Sequence, residues 1–161
     1  MYNLKTLFII WHLLLGIILM QFPLFATFYG VIIILFGTYY ILEKNDPLEK
    51  YPIYFSSYIV GIEVLLRMTG AGLFWEFGKY AVIYFLLLGI IRERKKVQIL
   101  SPMLYYFFLL LPAVFIVPFN TFNLWRQDVA FNLSGPAALM LCSIYFFTHT
   151  INQKALGRIL F

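Results

Sequence analysis

The chain has 161 residues, 63% of them apolar and 12% charged, and 12 Lys and Arg against 7 Asp and Glu give a net charge of +5. A soluble domain carries about 45–50% apolar and about 25% charged residues, and a globule this small keeps too much surface to hide the excess. A soluble enzyme, a disulfide-stapled secreted domain and a disordered segment are therefore excluded; with a mean hydropathy of +0.87, lipid is the expected solvent.

At about 20 apolar residues per crossing, the apolar runs define six spans in a single transmembrane domain, residues 1–161. The first runs from Leu4 to Met20 and the second from Pro23 to Leu42, joined by a tight turn at Gln21-Phe22-Pro23. The first run lacks a small-x-small cleavage site near Ala26, so it reads as a span and not as a signal peptide. In the second span Ala26, Gly30 and Gly37 form a small-residue stripe suited to close helix packing. The polar stretch Glu43 to Lys50, with Asn45-Asp46-Pro47 as turn chemistry, leads to a third span, Pro52 to Met68. A Thr69-Gly70-Ala71-Gly72 link leads to the fourth, Phe74 to Ile91. Arg92 to Lys96 interrupts the pattern, and the fifth span covers Ile99 to Val117 with a bend at Pro112. Phe119 to Asp128 reads as a loop, Ser134 to Thr150 as the sixth span, and Ala155 to Phe161 looks like the opening of a seventh. Runs this long and continuous predict an all-α fold, because barrel strands alternate and need only about 10 residues.

If six spans alternate, Lys5, Lys44, Lys50, the four basic residues of the 92–96 run, Lys154 and Arg158 share one side. The positive-inside rule makes that side cytoplasmic and the N-terminus cytoplasmic with it. Tyr39, Tyr40, Tyr51 and Tyr54 then gather at the inner headgroup level, and Trp75 and Trp125 at the outer one. The basic runs are topology signals facing lipid headgroups, so no nucleic-acid partner is expected. Cys142 lies alone in an apolar run, and His12 and His149 lack metal-ligand spacing; neither metal nor cofactor is expected.

The informative residues are ionisable ones near the outer face, because charge in lipid must face protein or water. Glu63 and Arg67 are four positions apart and share a helical face, with Arg67 in a last turn where a cation suits the helix dipole. Glu76 and Lys79 follow across the link, again one turn apart. The four read either as an outward polar vestibule or as two ion bridges that lock a helical hairpin. In the second constellation, Ser134 reads as an N-cap with Pro136 in the first helical turn. The free N–H groups of that helix start, beside Arg126, would suit a phosphate or pyrophosphate; the plainer alternative is an ordinary helix start, with Arg126 paired to Asp128.

The segment Glu63-Val-Leu-Leu-Arg67-Met-Thr-Gly70-Ala-Gly72, then Trp75-Glu76-Phe-Gly78-Lys79-Tyr80, resembles the amino-terminal part of bacterial O-antigen ligase and polymerase-like membrane proteins of Bacteroidetes type. Phe131-Asn132-Leu133-Ser134-Gly135-Pro136 is similar to a later stretch of the same proteins. The resemblance implies an inner-membrane, multi-pass protein of lipopolysaccharide O-antigen-like polysaccharide assembly, a glycosyltransferase-type ligase or polymerase. Its partners would be membrane lipids and an undecaprenyl-pyrophosphate-linked glycan. The chain would be the first half of such an architecture and inactive alone, since the essential Arg and His of those proteins lie in the later half; catalytic residues are therefore unknown. Arg67, Lys79 and Arg126 carry over as substrate- or anion-contacting positions; Ser134 joins them on the helix-start reading, and Glu63 and Glu76 stand as vestibule or ion-pair residues on their spacing. The other reading is a non-enzymatic six-span scaffold or transporter subunit.

Overall fold

A computed structural model describes residues 4–43, 50–93, 101–119, 121–149 and 153–159. Every regular element among them is a helix: α1 (Leu4–Gln21), α2 (Pro23–Glu43), α3 (Tyr51–Met68), α4 (Phe77–Glu93), α5 (Ser101–Leu110), α6 (Ala113–Ile116), α7 (Phe122–Thr148) and α8 (Gln153–Ile159). The expected runs at 44–49 and 94–96 lie outside the described residues, as do Ile99, Thr150 and Phe161.

Prolines and turns set the early boundaries. Only Phe22 separates α1 from α2, its N–H bonded back to the Leu19 carbonyl, and Pro23 opens α2, where a missing N–H is harmless. Pro52 sits in the first turn of α3. The α3 end is a Schellman closure: Gly70 N–H donates to Arg67 O, Ala71 N–H donates to Leu66 O, and Gly70 takes φ +67°, which only glycine adopts without strain. Pro112 breaks the fifth apolar run into α5 and α6, as its ring and missing N–H require.

Two expectations fail. The fourth helix begins at Phe77, not Phe74, because residues 71–76 form an irregular link. The sixth does not begin at Ser134. It starts at Phe122, with Thr121 as the N-cap in extended conformation, and runs through Pro136 to Thr148. Most of the Phe119 to Asp128 segment is thus helical. Pro136 loses the hydrogen bond to the carbonyl four residues back and its ring crowds that carbonyl, yet the helix continues through it, held by the packing of Leu141 and Tyr145 in the second cluster.

Helix α4 is the centre of the packing. One core cluster joins Leu19 of α1, Ala26, Ile33 and Ile41 of α2, Ile59, Ile62 and Leu66 of α3, and Ala81 and Phe85 of α4. A second joins Ile53, Val82 and Leu86 to Leu141 and Tyr145 of α7, with the half-buried Cys142 against it. The small-residue stripe of α2 is buried as expected: a Cβ at Gly37 would lie 2.5 Å from the Phe85 ring, and one at Gly30 would lie 2.7 Å from Leu73. Outside the core, large apolar side chains face outward, including Trp11, Leu13, Leu24, Leu35, Leu109 and Phe115. Helices α2 and α7 are long and apolar enough to cross a membrane.

Candidate functional site

The four ionisable residues of the α3–α4 hairpin come together as two ion pairs. Arg67 binds Glu63 one turn below it, and Lys79 Nζ lies 2.5 Å from Glu76 Oε2. Gly78 makes room for the first pair, since a Cβ there would collide with the Glu63 carboxylate. That carboxylate therefore rests on the first turn of α4, where the free N–H ends of a helix favour an anion. The Arg67 guanidinium stacks over the Trp75 ring at 4.6 Å, which fixes the link against α3. On the other side Thr27 of α2 accepts the Gly72 N–H at 2.8 Å.

The second pair reaches across to α7. Ser134 is buried in mid-helix, and its hydroxyl donates to Glu76 Oε2 at 2.8 Å. Its backbone belongs to a continuing helix, so the expected N-cap and the free N–H groups it would offer an anion are absent at this position. Lys79 also lies 5.4 Å from the Phe131 ring centroid. Burial pushes the Glu76 carboxyl up, but the hydrogen bonds from Lys79 and Ser134 and the charges of Lys79 and Arg67 outweigh it and hold the group below the ordinary carboxylate range.

Arg126 stands apart. It is exposed on the first turns of α7, and neither Asp128 nor any other carboxylate among the described residues pairs with it. With Glu76, Asp128, Trp75 and Phe131 it lines an open cleft of about 570 Å³, within the ~300–1,000 Å³ of small-molecule sites. Of the three cations singled out in sequence, two are thus neutralised within the fold and one faces a cavity. No group of three or more His, Cys, Asp or Glu side chains among the described residues could hold a metal ion.

Sequence reasoning missed a polar chain that joins α1, α3 and α2. His12 Nδ1 lies 2.9 Å from the Phe8 carbonyl, which can only accept, so in the neutral imidazole Nδ1 carries the proton. Nε2 then accepts from the Tyr58 hydroxyl at 2.9 Å, and Tyr58 in turn accepts from Tyr29. Three helices are tied together by one directional chain. The only sequence signal was three polar side chains inside apolar runs, with no spacing to link them. His149, expected to be remote from the outer loops, is buried at the end of α7 and bonds the Tyr145 carbonyl at 2.9 Å.

No protein-family model, curated protein or solved structure matches this chain.

Proposed function

We propose that the chain is a polytopic protein of the bacterial inner membrane that takes part in surface-polysaccharide assembly, contacting the pyrophosphate of an undecaprenyl-linked glycan through Arg126. In this reading α1, α2, α3, α4, α5 with α6, and α7 are six crossings, the N-terminus is cytoplasmic, and α8 leads toward a seventh. The outward apolar side chains of α1 and α2 support lipid contact, since water would penalise each of them. The positive-inside pattern supports the orientation, which puts the Glu63–Arg67 cluster and the Arg126 cleft on the non-cytoplasmic side. The sequence resemblance supports the substrate class.

The observation that carries the reading is Arg126: an exposed guanidinium on a cavity wall with no carboxylate partner among the described residues. Its planar donors suit a phosphate. Arg67 and Lys79 are already paired and brace the hairpin. Their pairing favours the second reading, a non-enzymatic scaffold or transporter subunit, for those residues but not for Arg126.

The test is binding of inorganic pyrophosphate and undecaprenyl pyrophosphate to the detergent-solubilised chain by calorimetry. Arg126→Ala should weaken both by about tenfold, the size of one lost charge-assisted contact, while Arg67→Ala lowers thermal stability and spares affinity. Equal affinities in wild type and Arg126→Ala would refute the anion site. In a Cys142→Ala background, Gln127→Cys should label from the periplasm and Arg92→Cys only after permeabilisation; the reverse pattern would refute the orientation.

A further inference from the structure

An open groove of about 440 Å³ lies between α1 and α3, with Ile159 of α8 also on its wall; small-molecule sites run from ~300 to 1,000 Å³. The α3 wall presents Tyr54, Ser57, Tyr58 and Gly61, whose three- and four-residue spacing puts them on one helical face. Phe8 and His12 line the α1 wall, their ring centroids 4.0 Å apart. Gly61 keeps the α3 wall low, since nothing lies within 4 Å of a Cβ there.

Two hydroxyls on this wall have a hydrogen to give. Thr27, Thr38 and Thr148 each return their hydroxyl to the carbonyl four residues back, the local partner open to a polar side chain within a helix. Ser57 does not, and neither its hydroxyl nor that of Tyr54 forms a hydrogen bond among the described residues. Each is a donor as well as an acceptor. The other polar atoms on the walls are engaged: both His12 nitrogens have partners, and the Tyr58 hydroxyl sits between His12 and Tyr29. His12 and Tyr58 therefore contribute ring surface, and no Lys, Arg, Asp or Glu is among the described lining residues.

This lining restricts the occupant. An ammonium, carboxylate or phosphate would give up water and meet no opposite charge, so the ligand is neutral. A plain hydrocarbon chain would fill the space but leave both hydroxyls unmet. A flat conjugated ring that bears carbonyl oxygens answers every wall: the oxygens accept from Tyr54 and Ser57, and the ring packs against the aromatic side chains of Phe8 and His12. Ile9 and Leu13, exposed on the α1 side of the groove, give an attached apolar chain a path into lipid. We infer that the groove binds a membrane quinone, its ring between α1 and α3 and its carbonyl oxygens on the Tyr54 and Ser57 hydroxyls. The inference rests on reading α1 and α3 as membrane crossings; it shares no residue with the Arg126 cleft.

The experiment is native mass spectrometry of the full chain in detergent, titrated with decylubiquinone, dioleoylglycerol and dioleoyl-phosphatidylglycerol. The quinone should bind at least about tenfold more tightly than either lipid. Equal binding of dioleoylglycerol, which has ester carbonyls but no ring, would overturn the proposal in favour of a neutral glyceride, and equal binding of the anionic lipid would overturn the charge argument on which it stands. Tyr54→Phe and Ser57→Ala should each weaken quinone binding about fivefold, the size of one neutral hydrogen bond. Gly61→Leu places a side chain in the groove and should abolish binding while the melting temperature holds. Affinity unchanged in the Tyr54→Phe, Ser57→Ala double variant, or retained in Gly61→Leu, would overturn the site. The two hydroxyls hold no described partner, so their variants keep the test valid if Gly61→Leu does not fold. Arg126→Ala should leave quinone binding unchanged; a loss there would put the ligand in the other cleft and overturn the assignment. Pyrophosphate affinity should in turn be untouched in the groove variants, so failure of the quinone site is distinguishable from failure of the pyrophosphate reading.

Discussion

Gly37→Ala tests how closely α2 approaches α4. The added methyl would lie 2.5 and 2.6 Å from two carbons of the Phe85 ring and 3.0 Å from Phe55, where carbon contacts ordinarily sit at about 3.5–4.0 Å. Phe85 is fully buried and tilted against Phe55 with centroids 5.7 Å apart, so the Phe85 ring cannot retreat into open space. The helices must separate instead, and overpacking of this kind costs about 1–3 kcal/mol. Alanine also gains up to about 1 kcal/mol of helix propensity over glycine, which offsets part of the loss. Gly61→Ala supplies the reference, because nothing lies within 4 Å of a Cβ there; it should be neutral or more stable than wild type. The difference between the two variants removes the propensity contribution and leaves the clash, about 1–3 kcal/mol. Reversible unfolding in mixed SDS micelles, followed by far-ultraviolet circular dichroism, would measure it. If Gly37→Ala unfolds at the same denaturant fraction as Gly61→Ala, the proposed contact between α2 and α4 is wrong.

Ser134→Ala removes a buried donor to a carboxylate that keeps Lys79, so it should cost about 1.5 kcal/mol, the low end for hydrogen bonds to charged groups, in the same unfolding assay. Tyr58→Phe leaves His12 Nε2 without a donor and Tyr29 without an acceptor and should destabilise by about 1–3 kcal/mol. Tyr29→Phe spares the Tyr58–His12 bond, so it should cost less; the opposite ranking would contradict the assigned direction of the chain. Because the folded carboxyl of Glu76 is held below the ordinary value of 4.5, its contribution is present above that value and is lost as pH falls through the folded one. Stability should therefore drop in acid below about pH 4.5, and the drop should be smaller in Glu76→Gln, read from unfolding midpoints across an acidic pH series.

The first three helices were legible almost to the residue because their apolar runs are long and bounded by Pro23, Pro52 and a glycine closure at Gly70. The Glu63–Arg67 pair was legible too, since spacing within one helix fixes which side chains meet. The start of α7 was not. Asn123, Arg126, Gln127, Asp128 and Asn132 make its first turns polar, and Ser134-Gly135-Pro136 carries the local signature of a helix start. What holds the helix through that signature is a partner 58 positions away, Glu76, which no local pattern reveals. The His12–Tyr58 bond spans 46 positions and was hidden for the same reason. For Arg126 the sequence supplied the residue, but whether Asp128 neutralises it depends on side-chain directions along α7.

The division of charge at this end of the molecule follows from where each group is anchored. Glu63 and Arg67 lie on one helix, Glu76 and Lys79 at the start of the next, and each pair closes within a single turn before any ligand arrives. Such pairs are net neutral, so they add little long-range field; their value is geometric, holding the link at Trp75 and, through Ser134, pinning α4 to α7. Arg126 sits eight residues before Ser134, about 12 Å along the same helix, so the lock sets the register of the helix that carries it. Loosening Ser134 should then degrade binding at Arg126 without touching its guanidinium, whereas removing the guanidinium should leave the lock intact. A Ser134→Ala variant that loses stability yet retains full phosphate affinity would show that the two halves of the site are independent, and would leave the ion-pair cluster as scaffolding alone.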